Sequence, residues 1–191
     1  SLGIILNMGC VPYAQHDRVQ SNIKSIRVLI AKGFKVRTQE ILERLYTTYI
    51  LPKINYCSQI YHTGQYAHLK DIESKINRYW KLCDTKIIHS KILGIREQLI
   101  LNDLKFMHKI RHGLSPIDFD EFFTISESER NSTEKIKLKK SLLTFPRYSF
   151  THRIQNYWNY LPVKTRNSSP EIFKEKVPVS YTHLTLPTIV R

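Results

Sequence analysis

The sequence predicts a mainly α fold: a helical bundle with a short N-terminal strand, a polar linker and a small C-terminal helical segment. Apolar residues recur every three or four positions over most of 17–113 and again over 149–177. Pro and Gly stand at the ends of those stretches, and only 2–7 and 136–139 have strand character. A chain of 191 residues, 41% of them hydrophobic, has enough apolar material for a core.

Leu2-Gly3-Ile4-Ile5-Leu6-Asn7 has the short β-branched pattern of a buried strand and breaks at Gly9 and Pro12. A lone strand is not stable, so its partners are expected upstream, and a start on Ser1 in place of Met agrees with that. Asp17, with Gln20 three residues on, is placed to cap the first helix, in which Val19, Ile23, Ile26 and Ile30 keep helical spacing up to Gly33. Arg18, Lys24 and Arg27 are among its polar positions.

Thr38 caps the next helix, with Ile41, Leu42, Leu45, Tyr49 and Ile50 on one face. Pro52 lacks the amide donor and crowds the carbonyl one turn back, which predicts a kink near Thr48 to Ile50. Ile54, Cys57 and Tyr61 resume the stripe, so one kinked helix ending at Gly64 is expected. From His68 to Cys83, Leu69, Ile72, Ile76, Trp80 and Cys83 form a narrow stripe opposite Lys70, Ser74, Arg78 and Lys81.

The helix predicted over 99–113 carries Leu101, Leu104, Met107 or His108, and Ile110 or Arg111, with Asn102 as cap and Gly113 and Pro116 at its end. Residues 125–135 have no apolar period and read as an exposed linker. Ile136 to Lys139 alternates as a short strand. Ser149 caps a helix with Phe150, Ile154, Tyr157, Trp158 and Leu161, ended by Pro162, and Ser169-Pro170-Glu171 starts a short last helix with Ile172, Phe173 and Val177.

Thirty Lys and Arg against sixteen Asp and Glu leave a net charge of +14, which points to polyanionic partners. Residues 1–113 carry 18 basic and 8 acidic side chains, 114–134 carry 1 and 6, and 135–177 carry 10 and 2. Two basic blocks thus flank an acidic spacer. Cys10, Cys57 and Cys83 are too far apart for a zinc or disulfide framework and read as reduced thiols. No apolar run reaches the length of a membrane span, and no signal peptide opens the chain.

The motif inventory is poor in chemistry. Asp118-Phe119-Asp120-Glu121 is the one tight carboxylate cluster, and it reads as a capping turn or solvated loop rather than a two-metal site. His108 and His112 share a helix face, but no third ligand is suggested. Tyr56, Tyr61, Tyr66 and Tyr79, interleaved with Lys and His, are suited either to core packing or to stacking on bases. There is no aromatic-x-Asp-Asp loop, no phosphate loop and no nucleophile elbow, so catalysis by this chain has no support.

Five blocks occur in an order that resembles the thumb and C-terminal region of reverse transcriptases from non-long-terminal-repeat retrotransposons, the jockey-like group in particular. They are Phe34-Lys35-Val36-Arg37; Leu45-Tyr46 with Pro52 and Tyr56-Cys57-Ser58; Leu69 to Trp80; Leu104 with His112-Gly113-Leu114; and Arg153, Trp158-Asn159, Leu161-Pro162 and Phe173-Lys174. Leu2-Gly3-Ile4 resembles the segment that leaves the palm in that family. Lys53-Ile54-Asn55 and Trp80 depart from the commoner residues.

The resemblance implies a non-catalytic C-terminal piece of an RNA-directed DNA polymerase, working in the nucleus and cytoplasm of a eukaryote. Residues 1–16 would end the palm, 17–113 form a thumb-like bundle and connection, 114–135 an acidic linker and 136–177 a C-terminal helical segment. RNA and DNA, as template-primer duplex, would be the partners, with no membrane and no small-molecule ligand. Lys32, Lys35, Arg37, Lys70, Arg78 and Lys81 would hold the duplex. The piece itself would need no cofactor, whereas its parent polymerase would need Mg2+. The alternatives are a free-standing helical nucleic-acid-binding module and a decayed fragment without activity.

Pro178 to Thr188 resembles the translation of a transposase library adapter, matched over eleven consecutive codons. Residues 178–191 are therefore expected to be an artefactual tail, with the true reading frame continuing past Val177.

Overall fold

The computed structural model describes residues 3, 13–62, 66–84, 92–127, 134–140 and 149–185, with 66, 67, 127 and 178–185 as backbone alone. The chain is mainly helical, with one small two-stranded sheet among the described residues. It divides into two compact units, 1–99 and 100–191. The division falls inside a helix at Leu99. Apart from Gly3, the strand expected at 2–7 lies outside the described residues.

In the first unit, α1 (Tyr13–Gly33) packs on α5 (Tyr66–Trp80). It begins four residues before the expected Asp17 cap, because Gln15 and His16 are buried despite their polarity. His16 is satisfied from both sides: its Nε2 donates to the His68 carbonyl at 2.8 Å, and the Gln20 amide donates to Nδ1 at 3.1 Å. Val19, Ile23 and Ile30 carry the rest of the buried face.

Thr38 caps α2 (Gln39–Leu45) by accepting from the Ile41 amide at 3.4 Å. The chain then widens into a π-helical turn, Tyr46–Ile50, before α3 (Leu51–Asn55). Here the Leu51 amide reaches back to the Tyr46 carbonyl, and this i to i+5 turn is how the helix accommodates Pro52. A π-turn therefore stands where the kink was expected.

The single kinked helix expected up to Gly64 is not. At Tyr56 the backbone is extended, and Cys57 takes a left-handed conformation (φ 51°) before the single turn α4 (Ser58–Tyr61). The Tyr61 hydroxyl donates to the Ile54 carbonyl inside the core and ties that turn back onto α3. Gly64 lies outside the described residues.

The core of this unit gathers Val19, Ile23, Leu42, Ile50, Ile54, Ile72 and Leu99 around the buried rings of Tyr46 and Tyr79. The Tyr79 hydroxyl donates to the Leu42 carbonyl at 2.6 Å. Burial pushes the Tyr46 hydroxyl up to about 12. Tyr79 moves further in the same direction, through burial first and Tyr46 second. Both therefore stay neutral donors.

α6 (Ile95–Arg111) starts earlier than the expected Asn102 cap. The Glu97 carboxylate folds back over Gly94, where an added Cβ would meet it at 2.3 Å and push this flexible side chain aside. At the other end Gly113 (φ 65°) closes the helix: the Leu114 amide donates to the Lys109 carbonyl at 2.8 Å and the Gly113 amide to that of Ile110 at 3.2 Å. This is the paired C-terminal pattern that a left-handed glycine permits.

In the second unit, part of the expected linker is ordered. β1 (Phe123–Glu127) pairs antiparallel with β2 (Glu134–Leu138), placing Phe123 opposite Leu138 and Ile125 opposite Ile136. Its alternation is only two apolar residues long and sits among acidic side chains, so the sequence pattern hid it. Asp118 caps α7 (Phe119–Phe122) by accepting from the Asp120 amide at 3.0 Å, the capping turn expected there.

The far edge of β2 is covered by α8 (Phe150–Tyr160). Asn159 accepts from the Ile136 amide at 2.9 Å and donates to its carbonyl at 3.0 Å, while Gln155 accepts from the Leu138 amide at 3.1 Å. In Trp158-Asn159-x-Leu161-Pro162, then, Trp158 and Leu161 fill the core, Asn159 completes the sheet edge, and the Pro162 carbonyl starts α9 (Val163–Arg166). Asn159→Ala leaves both strand groups unpaired, and a loss of about 1–3 kcal/mol in urea unfolding is expected. Unchanged stability would mean that water replaces the amide at no cost.

The last helix, α10 (Pro170–Thr185), begins at Ser169-Pro170-Glu171 as expected, with Phe173 and Val177 buried. It does not stop at Val177, and its backbone remains helical through Pro178 to Thr185. The ring of His108 lies 4.0 Å from that of Phe173, and its Nε2 donates to the Ser168 carbonyl at 2.9 Å. His112 Nε2 donates likewise to the Arg166 carbonyl at 3.1 Å. These rings hold loops.

Burial lowers the pKa of His108 below the ordinary 6.5; the Ser168 carbonyl opposes this and His112 adds to it. Since the folded ring stays neutral longer, the unfolded chain takes up the proton first as pH falls. Stability is thus complete above 6.5 and declines as pH drops from there through the lower folded value. His68 is lowered by burial too and acts in the same sense. Melting followed across this window should show the decline, and His108→Gln should reduce it; a flat profile would contradict the assignment.

Candidate nucleic-acid interface

Basic side chains gather on one groove of the first unit. α1 contributes Lys24 and Arg27, one turn apart, and α5 contributes Lys75 and Arg78 at the same spacing. The four line a groove of about 90 Å³. Packing of α1 on α5 brings the two doublets together, since each flanks its helix's buried stripe on the side facing the other helix. Lys24 and Arg78 are exposed, while Arg27 and Lys75 are half-buried along their stems.

Among the described residues no carboxylate pairs with any of the four. Asp71, one turn before Lys75, is exposed and forms no ion pair. The groove therefore concentrates uncompensated positive charge. The two doublets lie on neighbouring packed helices, with one turn between the cations of each.

Of the six cations the sequence singled out, Arg78 lies in this groove. Lys70 and Lys81 are exposed on the outer side of α5 and just beyond its end. Lys32 sits exposed in the last turn of α1, where a cation also stabilises the helix C-terminus, and Lys35 is exposed in the link that follows.

Arg37 is engaged within the fold. Its guanidinium donates to Asp84 at 3.1 Å and its backbone amide to the same carboxylate at 2.7 Å, while the Asp84 amide returns a bond to the Arg37 carbonyl. Its charge is answered and its part is to hold the chain beyond α5. In the sequence Lys24 and Arg27 stand only as polar positions of their helix, and Lys75 is not singled out. The missed signal is the repeated basic i, i+3 doublet.

Of the tyrosines suited to stacking, Tyr61 and Tyr79 are core residues and Tyr56 is half exposed. The side chain of Tyr66 lies outside the described residues. Among the described residues, no group of three or more His, Cys, Asp or Glu side chains could hold a metal ion, and no helix is long and apolar enough to cross a membrane. Comparison with known proteins returned no match of any kind: no family model, no curated protein and no solved structure is significantly similar to the chain.

Proposed function

We propose that this chain grips nucleic-acid duplex without catalysing chemistry, laying the phosphate backbone along the groove formed by α1 and α5. The observation that carries this reading is the convergence of Lys24, Arg27, Lys75 and Arg78 from two helices, with no carboxylate partner among the described residues. Cations in such rows neutralise successive phosphates and release their counterions, which gives affinity without sequence preference. The order of sequence blocks shared with retrotransposon reverse transcriptases favours an RNA–DNA hybrid, the product of a polymerase whose catalytic aspartates and Mg2+ would lie elsewhere in a parent chain.

The test is binding of the full chain to two labelled RNA–DNA hybrids of unrelated sequence at low salt. Both should bind, with affinities differing by less than about tenfold, since base-edge contacts worth 1–3 kcal/mol each are not called on. Absence of binding at about 50 mM salt would overturn the proposal. So would a strong preference for one sequence.

A further inference from the structure

The first unit holds a second recess, on the opposite flank of α5 from the basic groove. It measures about 230 Å³ and is lined by Glu73, Asn77 and Trp80 of α5, by Tyr46, and by the stretch Ile92 to Ile95. On a helix, Glu73, Asn77 and Trp80 follow at i, i+4 and i+7 and so share one face. Trp80 is half-buried and braced by the rings of Tyr46 and Tyr79, whose centroids lie 5.2 and 5.0 Å from its own.

The chemistry of this recess is specific. It combines a braced aromatic surface, a carboxylate and a carboxamide, in a volume that suits one planar heterocycle and is below the usual range for larger ligands. Among the described residues neither the Glu73 nor the Asn77 side chain forms a hydrogen bond or ion pair, so both are free to meet a ligand. A carboxylate beside a tryptophan repels phosphate, and the recess therefore does not continue the basic groove. A carboxylate accepts two parallel N–H donors, and among the nucleobases the guanine N1–H and N2–H2 edge offers that pair.

We infer that this recess binds a single unpaired guanine base, stacked on Trp80, with its donor edge on Glu73 and Asn77 beside it. The inference rests on the nucleic-acid reading only for the source of the base, which would come from a strand crossing the outer face of α5. Lys70 and Lys81 stand exposed on that face. One stacked base with a single carboxylate pair is a weak contact, so a free nucleoside should bind no more tightly than roughly the millimolar range.

The experiment titrates guanosine, and separately uridine, into the isotopically labelled full chain while following the two tryptophan indole N–H signals. Trp80→Phe assigns them, and Trp158, fully buried in the second unit, serves as internal reference. Guanosine should shift the Trp80 signal saturably and leave Trp158 still, uridine should bind at least about tenfold more weakly, and Glu73→Gln should weaken guanosine by a similar factor. Equal shifts with both nucleosides, no shift at all, or an unaltered response in Glu73→Gln would overturn the inference. Hybrid binding by Glu73→Gln should remain at the wild-type level. Guanosine binding without hybrid binding would leave the recess standing and remove the duplex proposal, and the reverse result would do the opposite.

Discussion

Replacing Asp103 by Ala is expected to destabilise the second unit by about 3–5 kcal/mol, the cost of leaving a buried charge without its partner. Asp103 is fully buried on α6, and the Arg153 side chain of α8 is only 8% exposed. The two meet as a fork, Nε to Oδ2 at 2.7 Å and Nη2 to Oδ1 at 3.2 Å. The guanidinium also lies 5.8 Å from the centre of the Phe150 ring, so it has packing as well as charge to lose.

Removal of Asp103 takes away the carboxylate that the guanidinium forks onto. A double variant, Asp103→Leu with Arg153→Met, should recover much of the loss, because a well-packed apolar pair avoids the desolvation of both ions. Urea unfolding of the three proteins checks this. A loss below about 1 kcal/mol for Asp103→Ala would show the pair to be solvent-screened, contrary to its burial.

The second large effect concerns binding. Changing Lys24, Arg27, Lys75 and Arg78 together to Gln should weaken hybrid binding by roughly 10²–10³-fold at low salt, if each contact contributes on the order of 1 kcal/mol. The four side chains are exposed or half-buried, with no ion pairs among the described residues to break, so the fold should survive and the melting temperature stay close to wild type. A control changing Lys32 and Lys35 removes exposed charges outside the groove and should cost far less. Equal losses in the two variants would point to diffuse attraction by the net charge of +14 in place of a defined groove.

Much of the helical architecture was legible because it rests on local periodicity. Val19, Ile23 and Ile30, or Leu69, Ile72 and Ile76, announce a buried face by spacing alone, and Gly113 and Ser169-Pro170 mark helix ends through backbone preference. The parts that were not legible depend on distant partners. His16 is buried because His68 and Gln20 satisfy its ring, and Asp103 because Arg153 reaches it across fifty residues. The hairpin of β1 and β2 depends on Asn159 and Gln155 of a later helix.

The same limit governs the site. Lys24 with Arg27 and Lys75 with Arg78 each look like ordinary solvated positions, and only the packing of α1 on α5 makes them one surface. Arg37 looked equally free until Asp84 was found beside it. In this chain charge type and spacing identified candidates, and tertiary pairing decided which of them face solvent without a partner.

The most direct measurement is the salt dependence of hybrid binding by the wild-type chain and by the variant lacking Lys24, Arg27, Lys75 and Arg78. If those residues neutralise four phosphates, the slope of log K against log salt should be less steep in the variant by about 3–4. Parallel lines would contradict the groove as the site of grip.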